Sequence, residues 1–141
     1  MISTRGRYAL RVIIDLAEHA NGGYIPMKEI AERQEISLKY IERILPDITK
    51  GDIIEGIHGK GGGYRLKRPP EDITVGEILR LTEGDLAPVA CLAENAAPCE
   101  KKADCRTIKM WSDYAELTNN FFDSITVAQL VKRDSADFYV I

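Results

Sequence analysis

Histidine is almost missing from this chain of 141 residues, where His19 and His58 are the only two. No Ser/His/Asp set, no His-Glu-x-x-His and no complete nucleotide-binding loop is present, and the carboxylates show no pairing pattern that would replace them. The chain is therefore not expected to be an enzyme. Long apolar runs are also missing. No stretch approaches the roughly 18 consecutive apolar residues of a membrane span, and Met1–Arg7 has no signal-peptide apolar core behind it. A cytoplasmic address with no membrane partner is the expectation. Cysteine is scarce and odd in number, with Cys91, Cys99 and Cys105 all inside fifteen residues. In a reducing compartment this argues against a disulfide framework, and the clustering points to metal, to an iron–sulfur cluster or to redox sensing.

What is present is ordinary in bulk and uneven in detail. The length suits one compact domain, or a small domain with a dimerising extension. The formal net charge is −3, which at first argues against nucleic acid. Residues 1–70, however, hold 12 Lys/Arg against 9 Asp/Glu, a net of +3, while residues 71–141 hold 7 against 13, a net of −6. A DNA-facing half joined to a solvated or dimerising half gives such a split, and so does chance unevenness of a few charges.

Periodicity organises the first half. Ala9, Val12, Ile13, Leu16 and Ala17 recur at helical spacing from about Thr4 to His19, with Arg7, Arg11, Asp15 and Glu18 expected on the other face. Asn21-Gly22-Gly23 ends this helix. A second helix starts near Pro26 and stops around Gln34-Glu35. Ser37 is a good N-cap for a third, whose expected buried stripe is Tyr40, Ile41, Ile44 and Leu45. Pro46 is expected to kink or restart that helix. Two short helices joined by a tight turn read as a helix-turn-helix, although generic helical hairpins share the pattern.

The next stretch is more specific. Ile53–Ile57 has strand character and Tyr64-Arg65-Leu66 can return beside it. Between them, His58-Gly59-Lys60-Gly61-Gly62-Gly63 allows a tight tip and close approach to a phosphate chain, with Lys60 supplying charge. Alone it is a glycine-rich hairpin; directly after a helix-turn-helix it reads as a wing. Pro69-Pro70 marks a linker. Thr74 and Glu77, then Thr126 and Gln129, are spaced as two capping boxes. Between them a long helix from about Arg106 to Asp123 carries Trp111, Tyr114, Leu117, Phe121 and Phe122 on one stripe. Packing against the same helix of a second chain would bury that stripe, and so would packing within the chain.

Taken in order, these segments resemble a known family. Ser3–Arg11, Ile36–Glu42, the wing Gly59–Tyr64 and Ile73–Ile78 are similar to the regulator family that includes IscR, NsrR, CymR and RirA, over roughly residues 2–133. The resemblance implies a mainly α fold: a winged helix-turn-helix with a small β-hairpin wing, plus a long C-terminal dimerisation helix. Its domains would be a DNA-binding domain at 1–70, whose first helix also packs on the dimer helix, and a sensor loop with dimerisation region at 71–133. Residues 134–141 form a tail. The partners implied are double-stranded DNA with a palindromic operator and a second copy of the chain. Position by position, the recognition helix begins at Ser37, with Lys39, Tyr40, Glu42 and Arg43 as candidate base or phosphate contacts and His58 and Lys60 as wing contacts. The chemistry agrees, since Arg43 can bind guanine bidentately, Glu42 can accept from cytosine and Lys60 can neutralise phosphate. Tyr40 has a competing role in core packing.

The resemblance also implies that Cys91, Cys99 and Cys105 hold an iron–sulfur cluster, thiolates being its usual ligands. In two-iron members a histidine three residues after the last cysteine completes the set, and here that position is Ile108. In four-iron members an aspartate of the partner's first helix can serve, and here the matching position is Arg7. The missing histidine favours a four-iron cluster and leaves the fourth ligand open among Glu94, Glu100, Asp104, an outside thiol or an open iron. Redox-active thiols without a cluster, a zinc site and inert cysteines remain alternatives. A different class of reading is a winged-helix adaptor that binds protein.

Overall fold

The computed structural model describes residues 2–131, so the expected tail at 134–141 and the end of the 71–133 region lie outside the described residues. Eight elements carry the architecture, and the first is set by its cap. The Ser3 hydroxyl accepts from the Gly6 N–H at 3.4 Å, and α1 (Thr4–Glu18) follows. Ala9, Val12, Ile13 and Leu16 of α1 are buried together with Ile30 and Ile44 in the central core. Asp15 departs from expectation. It is 0% exposed and lies inside, not on the solvent face.

Helix α2 (Met27–Gln34) leads through a short turn into α3 (Leu38–Lys50). Glu35 takes the left-handed conformation (φ 54°, ψ 43°), Ile36 drops into the core, and the Ser37 hydroxyl accepts from the Tyr40 N–H at 3.1 Å. Turn and cap together fix the angle at which α3 leaves. Pro46 neither stops nor restarts α3, which runs unbroken to Lys50. The hydrogen bond that Pro46 cannot donate would go to the Glu42 carbonyl on an exposed side, where water can replace it. Ile41, Ile44, Leu45 and Ile48 are buried on both sides of the proline and anchor both halves in the core.

Strands β1 (Ile54–Ile57) and β2 (Gly63–Leu66) pair antiparallel, with Ile54 opposite Leu66 and Ile57 opposite Gly63. A third segment joins them. Ile25 exchanges two backbone hydrogen bonds with Tyr64, each 2.8 Å, and so ties the wing to the start of α2. Gly63 (φ +155°) permits this contact, because a Cβ there would lie 2.3 Å from the Ile25 carbonyl oxygen.

After a short turn at Pro70–Asp72, both expected capping boxes form, at the starts of α4 (Val75–Glu83) and α6 (Val127–Leu130). They also meet each other: Thr74 and Thr126 form an antiparallel bridge, flanked by Val75 N–H to Ile125 O (2.9 Å) and Val127 N–H to Ile73 O (2.8 Å). Between them runs α5 (Ile108–Asp123), held to α4 by Arg80, which donates to both Asp123 oxygens at 2.7 and 2.9 Å and to Asn119 Oδ1 at 2.7 Å. The chain is mainly helical with one small hairpin, a winged helix-turn-helix followed by a long helix.

Candidate nucleic-acid interface

Residues 1–70 contain twelve lysines and arginines, and their side chains fall into two groups. Arg5, Arg33, Arg65, Lys67 and Arg68 are ion-paired to Asp47, Asp15, Glu55, Asp52 and Glu77. Arg7 donates to the Thr4 hydroxyl, and Arg11 lies over the Tyr8 ring and bonds Gln34. The other five are Lys28, Lys39, Arg43, Lys50 and Lys60, all exposed and without a side-chain partner among the described residues. Their distribution follows from helical geometry. Lys39, Arg43 and Lys50 stand at i, i+4 and i+11 of α3, on the side opposite the buried Ile41, Ile44, Leu45 and Ile48. Cations without intramolecular partners, lined along one helix, are suited to phosphates and base edges.

Each candidate has a definite place. Ser37 is exposed, but its hydroxyl oxygen already caps α3. Tyr40 is half-buried with its ring edge-on to Tyr8, centroids 5.3 Å apart, a packing role. Glu42 and Arg43 are exposed, and a groove of ≈ 360 Å³ lined by Glu42, Leu45, Pro46, Thr49, Lys50 and Tyr64 joins α3 to the wing. His58 and Lys60 are exposed at the wing tip, where Gly59 (φ +92°) and Gly61 (φ +78°) make the reversal. Lys28 and Lys50 join the set although sequence reasoning did not single them out; their mark is the lack of an ion pair among the described residues, which the sequence does not display.

The cysteines lie on the segment between α4 and α5. Cys91 sits on a short turn at Ala90–Leu92, Cys99 is exposed, and half-buried Cys105 follows the turn at Lys102–Asp104. All three are free thiols. Among the described residues no three of histidine, cysteine, aspartate and glutamate stand together as a metal site, so the structure does not gather the expected ligands. The donor chemistry nonetheless fits an iron–sulfur cluster, with three thiols on one loop. Cys105 Sγ is 3.6 Å from the Thr107 hydroxyl, whose hydrogen bond draws the thiol below its ordinary pKa and toward thiolate. Ile108, at the position of the histidine ligand, only opens α5, and Arg7 remains on the surface of α1.

On α5 the expected stripe is divided. Trp111, Phe122 and one side of Tyr114 line a cleft of ≈ 520 Å³ together with Ile2, Glu83 and Asp85. Met110, Tyr114, Leu117 and Phe121, spaced four, three and four apart, are all exposed, Leu117 to 70%. No residue of α5 is buried.

The comparisons with known proteins agree with this geometry. The profile of a family described as "Rrf2: Iron-dependent Transcriptional regulator" matches residues 2–133. The HTH-type transcriptional regulator IscR of Aliivibrio salmonicida is 32% identical over 130 residues, covering 92% of this chain and 76% of that one. Among solved structures, CymR, the global cysteine regulator of B. subtilis, superposes with a TM-score of 0.73 at 31% identity, covering 92% of this chain and 95% of that one. IscR of T. potens gives a TM-score of 0.73 at 29% identity, covering 99% and 96%. No helix among the described residues is long and apolar enough to cross a membrane.

Proposed function

The chain belongs to the Rrf2 family of transcriptional regulators, and on that premise we propose that it binds a palindromic operator as a homodimer and takes its signal through the cysteine loop. The observation that carries the reading is the row of unpaired cations on α3, continued by Lys60 at the wing tip. In this reading α3 enters the major groove, Arg43 and Glu42 read bases, and Lys28, Lys39, Lys50 and Lys60 hold phosphates. The exposed 4-3-4 row of Met110, Tyr114, Leu117 and Phe121 has the spacing of a helix–helix seam and supports pairing with the same helix of a second copy. Two recognition helices would then lie about one turn of DNA apart, roughly 34 Å.

Cys91, Cys99 and Cys105 would hold the cluster, a four-iron one being favoured because Ile108 replaces the histidine. Such a cluster supplies a centre that redox change, nitric oxide or iron supply can alter. The chain's part is to close the loop beside α5 and so bias the spacing of the two α3 helices. A second reading needs no cluster: the cysteines act as thiol sensors or bind zinc, and the thiolate bias of Cys105 supports the first of these.

Selection of bound fragments from genomic DNA, followed by titration at several salt concentrations, tests the proposal. Specific binding that weakens steeply with salt is expected. Salt-insensitive or absent DNA binding would overturn it in favour of a protein-binding adaptor. Visible spectra and iron and sulfide analysis of anaerobically purified protein separate the two readings of the loop.

A further inference from the structure

The N-terminal turn of α1 touches both ends of the proposed signalling route. At one end is Glu83, the last residue of α4 and the one before the cysteine loop. Its Oε1 accepts from the Ser3 backbone N–H at 3.0 Å and from the Ser3 hydroxyl at 2.6 Å. Two residues on, Arg5 reaches the recognition helix, where its Nε donates to Asp47 Oδ2 at 2.8 Å and its Nη2 to the Arg43 carbonyl at 3.1 Å. Arg43 thus offers its backbone to Arg5 while its side chain stays unpaired.

Three further features fit this contact to the loop. Gly6 is buried directly under Glu83: a Cβ there would fall 2.4 Å from Glu83 Oε1 and 3.2 Å from Leu79 Cδ2, so a larger residue would push the Glu83 carboxylate out of its present place. Beyond Glu83, Gly84 turns at φ +80°, and Asp85 folds the first part of the loop onto itself by accepting from Ala87 N–H (3.1 Å) and Glu94 N–H (2.9 Å). Cys91 lies inside that fold. Ile2, Glu83 and Asp85 also share one cleft with Trp111 and Phe122, so the N-terminus, the loop's root and the long helix form a single wall.

We propose that Ser3, Arg5 and Glu83 are positioning residues that transmit the state of the cysteine loop to the recognition helix: Glu83 sets Ser3, and Arg5 on the same rigid turn sets α3 through Asp47 and the Arg43 carbonyl. The inference rests on the reading of the loop as sensor and α3 as DNA reader. It adds a route within one protomer to the change in spacing between two protomers.

The test compares wild type with Glu83→Gln and Ser3→Ala, each with native cysteines and with Cys91, Cys99 and Cys105 all changed to serine. The first readout is the ratio of operator Kd between the two cysteine states. An allosteric coupling of about 5- to 150-fold is expected in the wild type, falling at least several-fold toward unity in Glu83→Gln with its melting temperature nearly unchanged. The second readout needs neither cluster nor DNA: amide exchange of the protein alone should accelerate in α3 beyond Arg43 in both variants, and stay unchanged in α2. A wild-type ratio of one overturns the sensor reading itself. Unchanged α3 exchange, or a wild-type ratio retained in Glu83→Gln, overturns the relay alone.

Discussion

Arg33 grips Asp15 with two nitrogens inside the protein: Nη2 donates to Oδ1 at 2.7 Å and Nε to Oδ2 at 3.1 Å, while Gln34 Nε2 adds a third bond at 2.8 Å. The carboxylate is fully buried and belongs to α1; its partners stand at the end of α2. This pair fixes the first helix of the helix-turn-helix to the scaffold. Burial alone would raise the Asp15 pKa, but the hydrogen bonds and charge of Arg33, with Gln34 and nearby His19, lower it overall.

Asp15→Asn is therefore expected to destabilise the fold by about 3 kcal/mol at neutral pH, because it replaces the buried carboxylate that Arg33 and Gln34 bind with an amide whose NH2 cannot accept their hydrogen bonds. The sign with pH follows from the lowered folded-state pKa. The stabilisation is fully present above the unfolded value of about 3.9 and is lost as pH falls through the lower folded value. Urea unfolding of wild type and Asp15→Asn across acidic pH checks this. The two curves should converge only toward the acid end.

Sequence patterning reached the core of α1, the Ser37 cap, the hairpin and both capping boxes, because each depends on neighbours a few residues away. It placed Asp15 on the surface because a charged residue in an amphipathic helix ordinarily faces water. What overrides that rule is an arginine eighteen residues further on, a tertiary relation that no local pattern contains. The Ile25–Tyr64 strand pairing was hidden for the same reason. At the candidate interface, Lys39, Arg43 and Lys60 were legible by type and place. Their lack of partners, which separates them from Arg65 or Lys67, was visible only once the ion pairs were.

Arg43→Ala and Lys60→Ala should weaken operator binding in different ways. Loss of Arg43 should cost about 1–3 kcal/mol and relax preference at one base position in each half-site. Loss of Lys60 should weaken all sequences alike and lower the salt slope by about 2 for a dimer that loses two phosphate contacts. Fluorescence anisotropy with operator and scrambled duplexes at several salt concentrations separates the two.

Leu117→Lys or Phe121→Asp should convert a dimer into a monomer, as read by sedimentation velocity. Because both side chains are exposed in the single chain, its own fold should be retained, with unchanged far-ultraviolet circular dichroism. Operator affinity should fall by about two or more powers of ten, since the second half-site no longer adds through a linked partner. A dimer persisting in both variants would place the interface elsewhere.

Cys105 should alkylate at lower pH than an ordinary cysteine, whose pKa is about 8.5, because the Thr107 hydroxyl favours its thiolate. Thr107→Ala should shift the onset of iodoacetamide labelling at Cys105 upward, toward that ordinary value. Peptide mapping after timed labelling of reduced, metal-free protein reads the rate at this residue alone.

The bridge between Thr74 and Thr126 has a consequence for how this architecture can vary. By clasping the start of α4 to the start of α6, it makes everything between them a closed excursion with its two feet pinned side by side. Chain length inside such an excursion is cheap to change: two extra residues in a loop the size of Gly84–Thr107 raise its closure entropy by only about 0.1 kcal/mol. The length of the excursion is thus exchangeable between its two pinned feet, as a cartridge is in a fixed holder.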